Sequence, residues 1–166
     1  MNEGTLRAEG GRCGVRFERR YDATPDELWS ALTEPDRLGH WLADVAELEL
    51  RVGGRFLLRW DEGDETQETD GTILALEPGR LLELNWTYPG EPESVARFEL
   101  TPDGDGTILV LDHRGLPPGA IAGYGAGWHS HLDSLEAHLS GGRADWSARF
   151  QELGAAYERQ AELISG

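Results

Sequence analysis

The chain has 166 residues, with 31 acidic against 15 basic side chains, a formal net charge of −16, and every basic residue an arginine. Nucleic-acid backbones and anionic lipid surfaces are held by clustered Lys and Arg, so an exterior this acidic argues against both partners, nucleic acid and membrane. The length suits one domain whose core needs no staple, and the single cysteine, Cys13, excludes an intrachain disulfide or a Cys-based zinc cluster.

Residues 1–11 are Gly-rich and polar without periodicity, which predicts a mobile N-terminal segment lacking the apolar core of a signal peptide. No run approaches the roughly 20 apolar residues that a membrane span requires, and a soluble cytoplasmic protein is expected. From Val15, the alternation of Val15, Phe17, Arg19 and Tyr21 against Arg16, Glu18 and Arg20 predicts a half-buried strand. TPDELWSAL then reads as a helix. Thr24 is placed to cap it, Pro25 suits the first turn, and Asp26 and Glu27 sit at the positive end of the dipole. Pro35 interrupts, and a second short helix through Leu38 and Trp41 follows.

The middle of the chain reads as hairpins. VAELELRV and RFLLRW flank Gly53-Gly54, TDGTILALE and RLLELNW flank Pro78-Gly79, and ARFEL and TILVLDH flank the turn from Thr101 to Gly106. Phe56, Leu58 and Trp60 share one face, as do Leu82, Leu84 and Trp86, and Ala96, Phe98 and Leu100. The strand from Thr107 to His113 is apolar on both faces, which leaves its orientation open. The acidic stretch Asp61–Asp70 is read as a solvated hairpin loop, since its spacing does not match a calcium-binding EF-hand.

After Leu116-Pro-Pro-Gly119 the period changes to that of a helix. Ile121, Tyr124, Trp128, His131, Leu132, Leu135 and Leu139 form one stripe, ended by Gly141-Gly142. A last amphipathic segment, 143–166, carries Phe150, Leu153, Tyr157 and Ile164 and packs either on the body or on a second copy as a homodimer. Residues 12–142 are the main domain. Strand, two short helices, meander and long helix in that order predict an α+β fold, a curved antiparallel sheet of about six to seven strands around one long helix. The sheet and helix either leave a cavity or fill it.

The blocks TPDELWSALTEPDRLGHWL, RVGGRF, LALEPGRLLELNW, FELTPDGDGTILVLDHRGLP and GWHSHLDSLEAHL, in unbroken order over roughly residues 14–140, resemble the activator of heat-shock-protein-90 ATPase homologue-like family. That family belongs to the START-related, Bet v 1-like helix-grip superfamily labelled SRPBCC. The resemblance implies the helix-grip fold with a deep, mostly apolar cavity under the C-terminal helix. It also implies roles from binding hydrophobic metabolites to catalysis on them, in stand-alone proteins of bacterial type.

Histidine is the natural place to seek chemistry near neutral pH. His129 and His131 lie two apart on a helix, pointing about 200° from each other, and cannot chelate one ion. His131 faces the Leu stripe. His113, ending the last strand, is the best polar candidate near a cavity mouth, its structural alternative being a cap on the strand end. Arg19 shares a face with Val15, Phe17 and Tyr21. A buried unpaired guanidinium is prohibitive, so it is paired, with Asp112 or Glu99 as candidate partners, or solvated at an exposed strand end, or it anchors an acidic ligand group. His113, Arg19 and His131 are the catalytic candidates, with Tyr124 beside them. The ligand-binding set adds Trp41, Phe56, Leu58, Trp60, Leu84, Trp86, Phe98, Tyr124, Trp128 and Leu135. No nucleophile elbow, zinc or phosphate-loop motif is present, and no cofactor or metal is expected. The leading function is binding of a small hydrophobic molecule. The alternatives are a cyclase, dehydratase or hydrolase acting on a hydrophobic or polyketide-like substrate, and a chaperone-interaction module.

Overall fold

The structure, a computed structural model, describes residues 3–62 and 65–165. Its strands are β1 (Thr5–Glu9), β2 (Arg12–Tyr21), β3 (Asp44–Leu48), β4 (Arg55–Glu62), β5 (Glu65–Glu77), β6 (Leu81–Trp86), β7 (Ser94–Asp103) and β8 (Gly106–Leu116). Helices α1 (Pro25–Thr33) and α2 (Pro35–Trp41) lie between β2 and β3, and α3 (Ile121–Leu139) and α4 (Trp146–Ser165) follow the sheet. All eight strands form one antiparallel sheet in the order β1-β2-β8-β7-β6-β5-β4-β3. This is the helix-grip arrangement. None of the helices, among the described residues, is long and apolar enough to cross a membrane.

The local chemistry sets the element ends. Thr24 accepts a hydrogen bond from the Glu27 amide at 3.2 Å and starts α1, with Pro25 in the first turn. Glu34 ends α1 and Pro35 restarts the chain as α2. Gly53, Gly79 and Gly104 take positive φ at the three hairpin turns. Only Gly53 of the Gly53-Gly54 pair is left-handed.

Three expectations are corrected. The segment predicted to be mobile contains β1, because Gly10 and Gly11, both at positive φ, close a hairpin that pairs β1 with β2. Glycine there is a turn, and Leu6 is buried against the body. The stretch expected as an acidic loop is largely strand: β4 runs through Glu62 and β5 begins at Glu65, while residues 63 and 64 lie outside the described residues. Arg59 beside Glu68 and Arg55 beside Asp70 show how cross-strand pairing accommodates the acidic residues. The last hairpin is tighter than expected, since β7 continues to Asp103 and β8 resumes at Gly106.

The ambiguous strand resolves cleanly: Leu109, Leu111 and His113 are buried, and Ile108, Val110 and Asp112 lie on the half-buried outer face. The inner faces of β4, β6 and β7 carry the predicted apolar sets, and α3 lies across them with Trp128, Leu132 and Leu135 buried. The C-terminal segment packs on this same body, α4 running against α3 and β1. Tyr157 is its fully buried anchor, accepting the Gly4 amide at 2.7 Å.

Candidate functional site

The interior under α3 is packed with side chains. Trp41, Phe56, Leu84, Trp86 and Phe98, with four leucines, enclose a void of only about 10 Å³, barely room for one water. Leu58 and Leu135 are wholly buried. The deep cavity implied by the resemblance is therefore corrected: indole and phenyl rings fill it, and the open space moves to the N-terminal end of α3.

There a cleft of about 390 Å³ opens, within the range of small-molecule sites. Its sheet wall is Trp60 of β4 and Trp86 of β6, rings 6.0 Å apart, placed inward by strand alternation. Tyr88 and Glu91 of the β6–β7 connection form the rim. The helix wall is Gly123, Tyr124, Gly127, Trp128 and His131, one face of α3 at three- and four-residue spacing, preceded by Gly119 and Ala120. Trp146 and Phe150, stacked at 4.8 Å, close it from the start of α4.

The polar groups of the cleft have defined states. His131 Nδ1 lies 3.1 Å from the Trp41 carbonyl, which can only accept, so Nδ1 carries the proton and Nε2 presents a lone pair. That Nε2 has no hydrogen-bond partner among the described residues. Burial among Trp60, Trp128 and Trp146 lowers the His131 pKa to about 4, opposed only in part by the Trp41 carbonyl, and the ring is neutral at pH 7. The Tyr124 hydroxyl donates to Glu91 Oε1 at 2.6 Å. Burial and then the Glu91 carboxylate push its pKa well above the usual range, while the nearby Trp86 indole N–H pulls slightly the other way. The Trp86 and Trp146 indole N–H groups are buried without an aligned hydrogen-bond partner among the described residues.

His113 is not in the cleft lining; it is completely buried behind Trp86 and Trp128. Trp128 Nε1 donates to His113 Nδ1 at 3.0 Å, so the proton sits on Nε2, which donates to Ser94 Oγ at 2.8 Å, and Ser94 in turn donates to the Trp86 carbonyl at 3.2 Å. Burial lowers its pKa to about 3. Both nitrogens are committed, which makes His113 a neutral strut and leaves it no lone pair for catalysis.

Arg19 is likewise outside the cleft. Its Nη1 meets Asp133 Oδ1 at 2.7 Å on the opposite flank of α3, and Arg149 of α4 meets the other Asp133 oxygen at 2.8 Å. The suggested partners are engaged elsewhere, Asp112 by both ends of the Arg7 guanidinium and Glu99 by Arg97. His129 faces this cluster too, sharing a 2.8 Å hydrogen bond with the Tyr157 hydroxyl. The register of β2 explains the correction: Arg19 pairs with Leu109, deep beneath the helix and away from its N-terminal end. Among Arg19, His113, Tyr124 and His131 no two share a hydrogen bond, although the His113 and Tyr124 rings meet edge to face at 5.1 Å.

Of the predicted ligand residues, Trp60, Trp86, Tyr124, Trp128 and His131 come together in the cleft. Trp41 lies on a neighbouring cleft of about 350 Å³, separated by a partition of Trp60, His131 and Trp146 that lines both. Sequence reasoning missed Glu91, Trp146 and the glycines. The run GYGAG does not tell its glycines apart; in the fold, a Cβ on Gly123 would touch nothing within 4 Å, and one on Gly127 only the Phe150 ring edge at 3.9 Å.

The sequence model of the family described as Activator of Hsp90 ATPase homolog 1-like protein matches residues 22–140. Among solved structures, CalU16 from Micromonospora echinospora is 33% identical with a TM-score of 0.79, covering 96% of this chain and 97% of that one. MLL2253 from Mesorhizobium loti is 31% identical with a TM-score of 0.69, over 76% of this chain and 96% of that one. DynU16, described from the dynemicin biosynthetic locus, is 28% identical with a TM-score of 0.69, over 78% of this chain but 48% of its own. No curated protein matches the chain.

Proposed function

The chain belongs to the Activator of Hsp90 ATPase homolog 1-like family, and on that premise we propose that it binds a small hydrophobic molecule in the cleft between Trp60, Trp86 and the N-terminal half of α3. The observation that carries this reading is the pair Gly123 and Gly127. Glycine inside a helix costs about 1 kcal/mol relative to alanine. No packing of neighbouring groups requires it at these two positions, since each would point a methyl group into open or nearly open space. Occupation of that space by a ligand supplies the reason. The enzymatic alternative needs two polar candidates within reach of one another; Tyr124 and His131 stand seven residues apart on α3, about 10 Å along its axis.

The test is calorimetric titration with naphthalene, a neutral probe that fits an aromatic-walled site. Wild-type protein is expected to bind one equivalent saturably. Gly123→Leu, which fills the cleft while improving helix propensity, is expected to lose at least tenfold in affinity with an unchanged or raised melting temperature. Absence of saturable binding, or full affinity in the Gly123→Leu variant, would overturn the reading.

A further inference from the structure

We propose that the cognate ligand is an uncharged aromatic molecule bearing a hydroxyl group, and that this hydroxyl donates its hydrogen to His131 Nε2. The inference rests on the cleft being a ligand site and goes on to specify the chemistry that it selects. Three observations lead to it. First, the Trp41 carbonyl fixes the His131 proton on Nδ1, so the imidazole can offer the ligand only an acceptor. A carbonyl or ether on the ligand would face lone pair against lone pair; a hydroxyl supplies the hydrogen.

Second, the indole of Trp146 packs against the His131 ring at 5.1 Å, and its N–H is buried with no aligned partner among the described residues. A hydroxyl oxygen that donates to His131 keeps two lone pairs, so it sets no second donor beside an indole that already lacks an acceptor. A primary amine or amide would bring a further N–H donor to the same place.

Third, the cleft selects against negative charge. Its lining holds no arginine and includes the Glu91 carboxylate, with Tyr124 already donating to one of its oxygens. A carboxylate ligand would be desolvated among aromatic rings without a cation and would have no hydrogen to give. The aromatic character follows from the walls, where Trp60, Trp86, Trp128 and Trp146 offer ring faces and edges to a flat guest. The acidic ligand that an inward Arg19 suggested is thereby replaced by a neutral one, because Arg19 is committed to Asp133 on the far flank of α3.

The experiment compares naphthalene, 2-naphthol and 2-naphthoate by calorimetry at pH 7, with nitrogen NMR of the His131 ring. 2-Naphthol is expected to bind about three- to tenfold more tightly than naphthalene, the gain of one net hydrogen bond. 2-Naphthoate is expected to bind at least about tenfold more weakly than 2-naphthol. The His131 Nε2 resonance should move with 2-naphthol and stay with naphthalene. His131→Phe should lose the hydroxyl advantage and bind naphthalene and 2-naphthol alike, with an unchanged circular dichroism spectrum reporting the intact fold. Equal affinity for naphthalene and 2-naphthol, tight 2-naphthoate binding, or a hydroxyl advantage surviving in His131→Phe overturns the inference while leaving the ligand site standing. Failure of all three probes to bind overturns the ligand site and this inference with it.

Discussion

Arg19 and Asp133 join β2 to α3 across 114 residues of chain with a 2.7 Å ion pair. The Arg19 side chain is 2% exposed and that of Asp133 21%, so the pair is largely withdrawn from water. Burial alone would raise the Asp133 pKa, but hydrogen bonds from Arg149 and Arg19 and the charge of Arg19 hold it below its usual value. Removing the carboxylate leaves a guanidinium buried against a neutral partner. Asp133→Asn is expected to cost about 3 to 5 kcal/mol in urea unfolding at pH 7, and the double change Arg19→Met with Asp133→Asn less than the single one. A double variant no more stable than Asp133→Asn would show that the pair does not act as a desolvated unit. The alternation of β2 made Arg19 legible as an inward cation. Its partner was not legible, because which side of α3 faces which strand is a tertiary fact that neither period encodes. His113 illustrates the same limit. A polar residue at a strand end reads as a mouth residue until the Trp128 and Ser94 side chains are seen to use both of its nitrogens.

At the scale of elements, α3 is a helix whose glycines do two different jobs. A Cβ at Gly125 would come within 2.5 Å of Tyr157 Cδ1, so this glycine sets the close approach of α3 and α4. Gly123, two residues earlier and on the cleft side, meets nothing. Alanine at the two positions should therefore act in opposite directions. Gly123→Ala is expected to stabilise by about 0.5 to 1 kcal/mol through helix propensity. Gly125→Ala is expected to destabilise by about 1 to 3 kcal/mol through overpacking against a ring that cannot retreat without breaking its hydrogen bonds to Gly4 and His129. Thermal unfolding of the two variants side by side measures this, and the same sign for both would contradict the assignment. Sequence periodicity located α3 and its buried stripe correctly, but GYGAG looked the same at every glycine. The hairpins were legible from their turns. β1 was not, since a five-residue edge strand with one buried leucine has too little alternation to stand out from a polar terminus.

For the molecule as a whole, the net charge of −16 and the buried histidines pull stability in opposite directions as pH falls. Burial lowers the His113 pKa to about 3; burial lowers that of His131 to about 4, and burial with the charges of Arg19 and Arg149 does the same for His129. The unfolded chain titrates these groups near 6.5, so between about pH 6.5 and 4 it binds protons that the native protein refuses. Stability contributed by the neutral rings is complete above that window and declines as pH drops through it, by on the order of 1 to 2 kcal/mol per histidine between pH 7 and 5. Acidification also reduces the negative charge, since the isoelectric point is near 4.6, and relieves self-repulsion. Salt separates the two effects. At about 1 M the screening length is roughly 3 Å, which suppresses repulsion among exposed carboxylates and leaves burial untouched. The urea midpoint is therefore expected to fall from pH 7 to pH 5 more steeply in 1 M than in 0.05 M sodium chloride. His113→Gln, with no titrating ring at that site, should lessen the fall at both salt concentrations. A midpoint at high salt that stays level or rises toward pH 5 would mean that the acid sensitivity does not reside in these rings, and that the exterior charge alone governs how this protein responds to pH.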